Sequence, residues 1–159
     1  MKKQLFIFDL DFTLWHLSGT WCDCTLPPYR KKNGIVVDST NAHMNMYPDT
    51  IKILQKLKNE GYPLAVASRT DQPSWAKELM NILGIDHFFD YKEVYPSSKI
   101  KHLNRIKETS GYDFHEMVFF DDEYRNISET RELGVNAVFV KNGITSELVE
   151  KFKQKLINQ

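Results

Sequence analysis

Two cysteines in 159 residues, Cys22 and Cys24, are too few and too close together to build a disulfide framework. A bond between such near neighbours would be strained, so a small secreted scaffold stapled by disulfides is excluded. Net charge is also missing, because 21 Lys and Arg residues balance 21 Asp and Glu residues. Without a basic excess nothing drives the chain onto a polyphosphate backbone, and no nucleic-acid partner is expected. Long apolar runs are absent as well. Leu5-Phe6-Ile7-Phe8 follows Lys2-Lys3 but stops at Asp9, too short for the core of a secretion signal, and no stretch reaches the length of a bilayer span. The expectation is a cytoplasmic protein with no membrane partner. With 42% hydrophobic and 26% charged residues, the composition is that of a globular chain able to bury a real core. It is expected to fold as one domain over residues 1–159 and to be a monomer.

What the chain does contain is an alternation of short apolar runs with amphipathic segments. Leu5-Phe6-Ile7-Phe8, Leu64-Ala65-Val66-Ala67, Met117-Val118-Phe119-Phe120 and Ala137-Val138-Phe139-Val140 read as strands buried on both faces. A weaker run, Phe88-Phe89, is read as continuing towards Val94. Ile51, Leu54 and Leu57 share one helical face closed by Gly61; Trp75, Leu79, Ile82 and Leu83 precede Gly84; Ile100, Leu103 and Ile106 end near Gly111. A last helix starts near Thr145 or Ser146 and runs through Leu148, Phe152 and Leu156. Its Lys151 to Lys155 stretch reads as a solvated face. Strands alternating with helices predict an α/β fold, a doubly wound, Rossmann-like parallel sheet flanked by helices. Residues 14–47 break the rhythm and read as a flap, with a hairpin around Asn33-Gly34.

In such sheets ligands bind beyond the carboxyl ends of the strands. Asp9, Asp11 and Thr13 follow the first run, Ser68, Arg69 and Thr70 the second, and Asp121 and Asp122 a later one; Lys99 starts a helix after the third strand region. Any one of these aspartates alone reads as a helix cap or turn former. Converging on one rim, four carboxylates repel one another unless a cation neutralises them. An all-oxygen donor set suits a hard ion such as Mg²⁺, and Lys99, Arg69 and Ser68 add groups that hold a phosphate. Asp9 and Asp11, two apart at a strand end, supply the pair that a nucleophile and a general acid/base require.

Asp9-Leu10-Asp11-Phe12-Thr13 matches the DxDxT signature of the haloacid-dehalogenase-like phosphatases, and Ser68, Lys99 and Asp121-Asp122 follow in the order of that superfamily's other motifs. Phe8 to Trp15 (FDLDFTLW), Ala67 to Thr70 (ASRT), Tyr95 to Lys99 and Phe119 to Asn126 (FFDDEYRN) resemble the magnesium-dependent phosphatase family across nearly the whole chain. The resemblance implies a core of that superfamily with a short flap and no large cap. It implies Asp9 as nucleophile, Asp11 as general acid/base, and Mg²⁺ between Asp9, the carbonyl of Asp11 and Asp121, with Asp122 and Asn126 in support. Leu10, Ser68, Arg69 and Lys99 would bind phosphate or substrate. The implied activity is phosphomonoester hydrolysis through an aspartyl-phosphate, on phosphotyrosine-like side chains of proteins or on small sugar phosphates.

Within the flap, Trp21, and with it Trp15 and Tyr29, are candidates for an apolar wall beside the leaving group; core packing is the competing reading for Trp15. Cys22 and Cys24 with His16 and His43 make a poor zinc set, because the cysteine spacing is too tight and a second pair is lacking. Three rival functions remain in view. A phospho-signalling receiver domain carries its acidic pair first and its phosphoacceptor later, the reverse of this order. A glyceryl-transfer relative carries Cys where Leu10 stands. A catalytically dead binding module would have lost a polar residue, and none is missing.

Overall fold

The computed structural model describes residues 2–153, so the part of the last predicted helix around Leu156 lies outside the described residues. Among the described residues there are seven strands: β1 (Leu5–Phe8), β2 (Arg30–Lys32), β3 (Ile35–Val37), β4 (Leu64–Ser68), β5 (Tyr91–Val94), β6 (Met117–Asp121) and β7 (Asn136–Phe139). Five helices join them: α1 (Thr50–Asn59), α2 (Pro73–Ile82), α3 (Lys99–Ser110), α4 (Tyr124–Glu132) and α5 (Ser146–Lys153). Five strands form one sheet in the order β5-β4-β1-β6-β7, and every pairing in it is parallel.

Alternation along β1 divides the core in two. Phe6 and Phe8 face one side, packed with Leu54 and Leu57 of α1, Leu79 of α2 and Val149 of α5. Leu5 and Ile7 face the other, with Leu103 and Ile106 of α3 and Ile127 of α4. A strand buried on both faces has no use for polar residues, which accounts for the unbroken apolar runs. Helix ends follow local chemistry. The Ser98 hydroxyl accepts from the Lys101 amide at 3.3 Å and starts α3, and Gly111 at φ 76° closes it.

One strand reading is corrected. Phe88 and Phe89 are buried but lie in a 3₁₀ turn (Asp86–Phe88) and the link after it; the strand is Tyr91–Val94. β5 is an edge strand pairing only with β4, so it needs little apolar sequence of its own.

The flap returns on itself. β2 and β3 pair across Asn33 and Gly34, both at positive φ (53° and 81°), which is the backbone a two-residue hairpin of this hand requires. At its neck the Tyr47 amide donates to the Leu14 carbonyl at 3.1 Å, and the Thr50 hydroxyl donates to the same carbonyl at 2.8 Å. Asp38 ties the interior, accepting from the amides of Thr40, Ala42 and Leu26. Trp15 and Tyr29 turn inward and are buried, Tyr29 sharing a hydrogen bond with Thr25 at 2.6 Å. Neither therefore forms a wall for a leaving group, because both pack into the core shared with Phe6, Phe8 and Leu79.

Cys22 is buried and Cys24 exposed, both as free thiols. Burial, and secondarily the Asp11 charge, push the Cys22 thiol up to about 12. Alkylation of the native protein at pH 8 should therefore modify Cys24 alone, and both thiols only after unfolding. Two equally fast thiols in the native state would contradict this packing.

Candidate active site

The sheet order brings the carboxyl ends of β4, β1 and β6 side by side, and the polar residues that follow them share one cavity of about 140 Å³. Asp9, Asp11, Ser68, Lys99 and Asp122 line it, together with Arg69, Asn126 and Trp21. Asp121 lies fully buried beneath.

Lys99 holds the floor together. Its Nζ reaches Asp9 Oδ1 at 2.9 Å, Asp121 Oδ2 at 3.2 Å and the Ala67 carbonyl at 2.5 Å. With 1% of its side chain exposed it has no water to fall back on. Burial alone would lower its ammonium, but Asp9 and Asp121 overcome that and hold it above the ordinary lysine value. The opposite pressure acts on Asp9, whose carboxyl is driven well above the usual range by burial and then by Asp121. Burial also raises Asp122, to about 6.

The carboxylate oxygens of Asp9, Asp121 and Asp122 lie within 4.8 Å of one another. Three carboxylates thus face one ammonium, an imbalance of two charges that a divalent cation removes, and an all-oxygen set favours a hard one. Asp121 is fixed by three donors: the Glu123 amide at 2.9 Å, Asn126 Nδ2 at 3.1 Å, and Lys99. Asn126 also accepts from Arg69 at 3.0 Å, linking the β4 and β6 rims. Ser68 Oγ accepts from the Thr70 amide at 3.3 Å.

The Asp11 carboxylate stands outside the cluster, accepting on Oδ1 from Trp15 Nε1 at 2.7 Å and from the Cys22 amide at 3.0 Å, which leaves its backbone carbonyl as the group expected to face a metal. Burial raises its carboxyl to about 6 against those two bonds. The Leu10 side chain is wholly buried, so the contact expected of it with phosphate or substrate would fall to its main chain. Phe12, between the two turns, adopts φ 61°, a strained conformation for a non-glycine residue that reverses the chain over Asp11.

Trp21 is half-exposed at the mouth, edge-on to Phe12 at 5.3 Å. Asp23, Glu123 and Arg125 also line the cavity and were not singled out from sequence; only their closeness to Trp21 and Asp122 along the chain hinted at them. The zinc grouping does not form: among the described residues His16 stacks on Tyr47 and no metal-ligating cluster includes Cys22 or Cys24.

An acidic pair just after the central strand β1, a hydroxyl at the end of β4, a buried lysine from α3 and an acidic pair at the end of β6 define a phosphoryl-handling enzyme of the haloacid dehalogenase-like class. The chain matches the acid phosphatase family over residues 2–156. It is 36% identical to magnesium-dependent phosphatase 1 of Homo sapiens, over 93% of this chain and 84% of that protein. To an HAD-like hydrolase superfamily protein of Schizosaccharomyces pombe it is 37% identical, over 96% of this chain and 87% of the relative. A HAD-superfamily hydrolase from Ehrlichia chaffeensis shares the fold, with a TM-score of 0.69 at 15% identity over 99% of this chain and 100% of that one. The chain belongs to the magnesium-dependent phosphatase family of the haloacid dehalogenase-like superfamily, and it is a phosphatase.

Removing the floor cation leaves two buried carboxylates uncompensated. Lys99→Met should cost about 3 kcal/mol of stability in excess chelator. Urea unfolding would measure it, and a loss below about 1 kcal/mol would mean that the carboxylates are not sharing that charge.

Proposed function

We propose that the chain hydrolyses phosphate monoesters through an aspartyl-phosphate on Asp9, with Mg²⁺ held by Asp9, Asp121, Asp122 and the backbone carbonyl of Asp11. The observation carrying this reading is the cluster of three carboxylates, one oxygen of each within 4.8 Å of the others, two of them paired with the buried Lys99. The name of the human relative, a magnesium-dependent phosphatase, supports the choice of metal. When bound, Mg²⁺ supplies positive charge against the substrate phosphate and keeps Asp9 ionised.

The chain's own groups do the rest. An oxygen of the Asp9 carboxylate attacks phosphorus as the bond to the leaving oxygen breaks. The electron pair goes to that oxygen, which takes a proton from Asp11, and the alcohol or phenol departs. Asp11, now a carboxylate, accepts a proton from the water that attacks the aspartyl-phosphate. The bond to Asp9 breaks and inorganic phosphate is released. Lys99 and Ser68 bind phosphate oxygens, the Leu10 main chain adds its polar groups, and Arg69 is held by Asn126 where it can reach phosphate or substrate. Such chemistry depends chiefly on positioning and charge neutralisation.

The small polar cavity accepts a phosphoryl group and leaves the rest of the substrate at the mouth. That favours protruding monoesters, a phosphotyrosine-like side chain or a small sugar phosphate, over ligands needing an enclosing pocket. Trp21 supplies the flat apolar surface there.

Asp9→Asn should retain less than about one-hundredth of wild-type turnover and form no acid-stable acyl-phosphate in rapid-quench experiments, and excess EDTA should silence the wild type until Mg²⁺ is restored. A phosphorylated Asp9→Asn protein, or full activity in chelator, would overturn the scheme. Trp21→Ala should raise KM for an aryl phosphate a few-fold, about 1 kcal/mol, with kcat nearly kept. A kcat collapse shared by aryl and alkyl substrates would instead make Trp21 part of the catalytic framework.

A further inference from the structure

The two donors on Asp11 come from the flap, and both bond the same oxygen. The Trp15 indole has no exposed surface, and a buried indole N–H requires an acceptor. Here the acceptor is Asp11 Oδ1, at 2.7 Å, although a backbone carbonyl would have satisfied it equally well. The Cys22 amide, at 3.0 Å, takes a second lone pair of that oxygen. Among the described residues no hydrogen bond engages Asp11 Oδ2, while Asp11 lines the cavity that holds Asp9. A carboxylate with one anchored and one unbonded oxygen cannot exchange the two by rotation without breaking both bonds. The anchor is itself immobile. The Trp15 carbonyl accepts from the Phe12 amide at 2.7 Å, its amide reaches the Leu10 carbonyl at 3.3 Å, and its strand segment bridges Met46 on the returning flap.

We propose that Trp15 is a positioning residue for proton transfer: with the Cys22 amide it occupies Oδ1 of Asp11 and dedicates Oδ2 to carrying the proton to the leaving oxygen. The inference rests on the general acid/base reading of Asp11. In the first half-reaction the proton on Oδ2 passes to the leaving oxygen as its bond to phosphorus breaks. In the second, Oδ2 takes a proton from water as the water oxygen bonds phosphorus and Asp9 is freed. Without the indole donor the carboxyl samples other orientations: hydrolysis of the shared aspartyl-phosphate slows alike for every substrate, whereas its formation slows only where the leaving oxygen needs a proton.

The test is leaving-group dependence. Trp15→Phe, and a variant with 3-benzothienylalanine at position 15, which keeps the indole shape without its N–H, are compared with wild type on 4-nitrophenyl phosphate and on a small alkyl phosphate. The fold is checked by circular dichroism, and the benzothienyl variant supplies the result if the Phe variant does not fold. Losing one hydrogen bond to a charged group should lower kcat/KM, which reports the steps up to departure of the leaving group, about tenfold on the alkyl ester and less than about two-fold on the nitrophenyl ester. Equal losses of kcat/KM on both esters, or no loss on either, would overturn the proposal. Asp11→Asn run in parallel separates the two readings. If it is selective for the alkyl ester while the Trp15 variants are not, the positioning role alone falls; if Asp11→Asn is itself unselective, the acid/base reading falls and takes the positioning role with it.

Discussion

The ammonium of Lys99, buried between Asp9 and Asp121, is the interaction on which the rest of the site depends. It is made by residues from three separate elements, the end of β1, the end of β6 and the start of α3, so no single segment can create it. Only the parallel sheet, with β1 central and β4 and β6 beside it, brings those elements to one point. The ion pairs are also an incomplete solution, because one ammonium cannot balance three carboxylates in a buried place. That deficit is a stability cost to the empty protein and an affinity for cations, and these are two descriptions of one fact. Function here is built from electrostatic frustration that the fold tolerates because the sheet beneath is rigid and apolar on both faces.

The flap works by different physics. It buries Trp15 and Tyr29 in the same core that lies beneath the sheet and satisfies its polar backbone through Asp38. Its contact with the chemistry passes through two N–H groups on Asp11. A segment easily taken for a cover is therefore coupled to the Asp11 carboxyl, with Trp21 left at the mouth as its outward-facing element.

Most of the sheet and most of the cavity were legible because each element announces itself locally. Four apolar runs with no polar interruption mark the buried strands, and the polar residue following each run is placed on the rim by the period of the strand. Asp9, Ser68 and Asp121 were found in that way, and Lys99 by its position at a helix start. β5 was started too early because an edge strand is held by backbone pairing, and the eye goes to the neighbouring buried Phe88 and Phe89 instead. The orientation of the Asp11 side chain was not legible at all. It depends on Phe12 turning to a left-handed backbone and on an amide eleven residues away, neither of which leaves a pattern in composition or spacing. Trp15 and Tyr29 were ambiguous for the same reason: an aromatic residue in a long loop reads alike whether it faces a ligand or the loop's own interior.

The closure of the flap at its neck has a consequence for how such an enzyme can diversify. Tyr47 and Thr50 meet the carbonyl of Leu14, so the two ends of the excursion are tied beside the sheet whatever lies between them. For a loop whose ends already meet, doubling its length costs only about 0.6 kcal/mol of chain entropy. Material inserted at the far tip, around Asn33 and Gly34, would leave the neck and the strand ends untouched. The fold is thus a socket into which larger covers can be grafted, changing what reaches the mouth while the phosphoryl chemistry beneath is inherited whole.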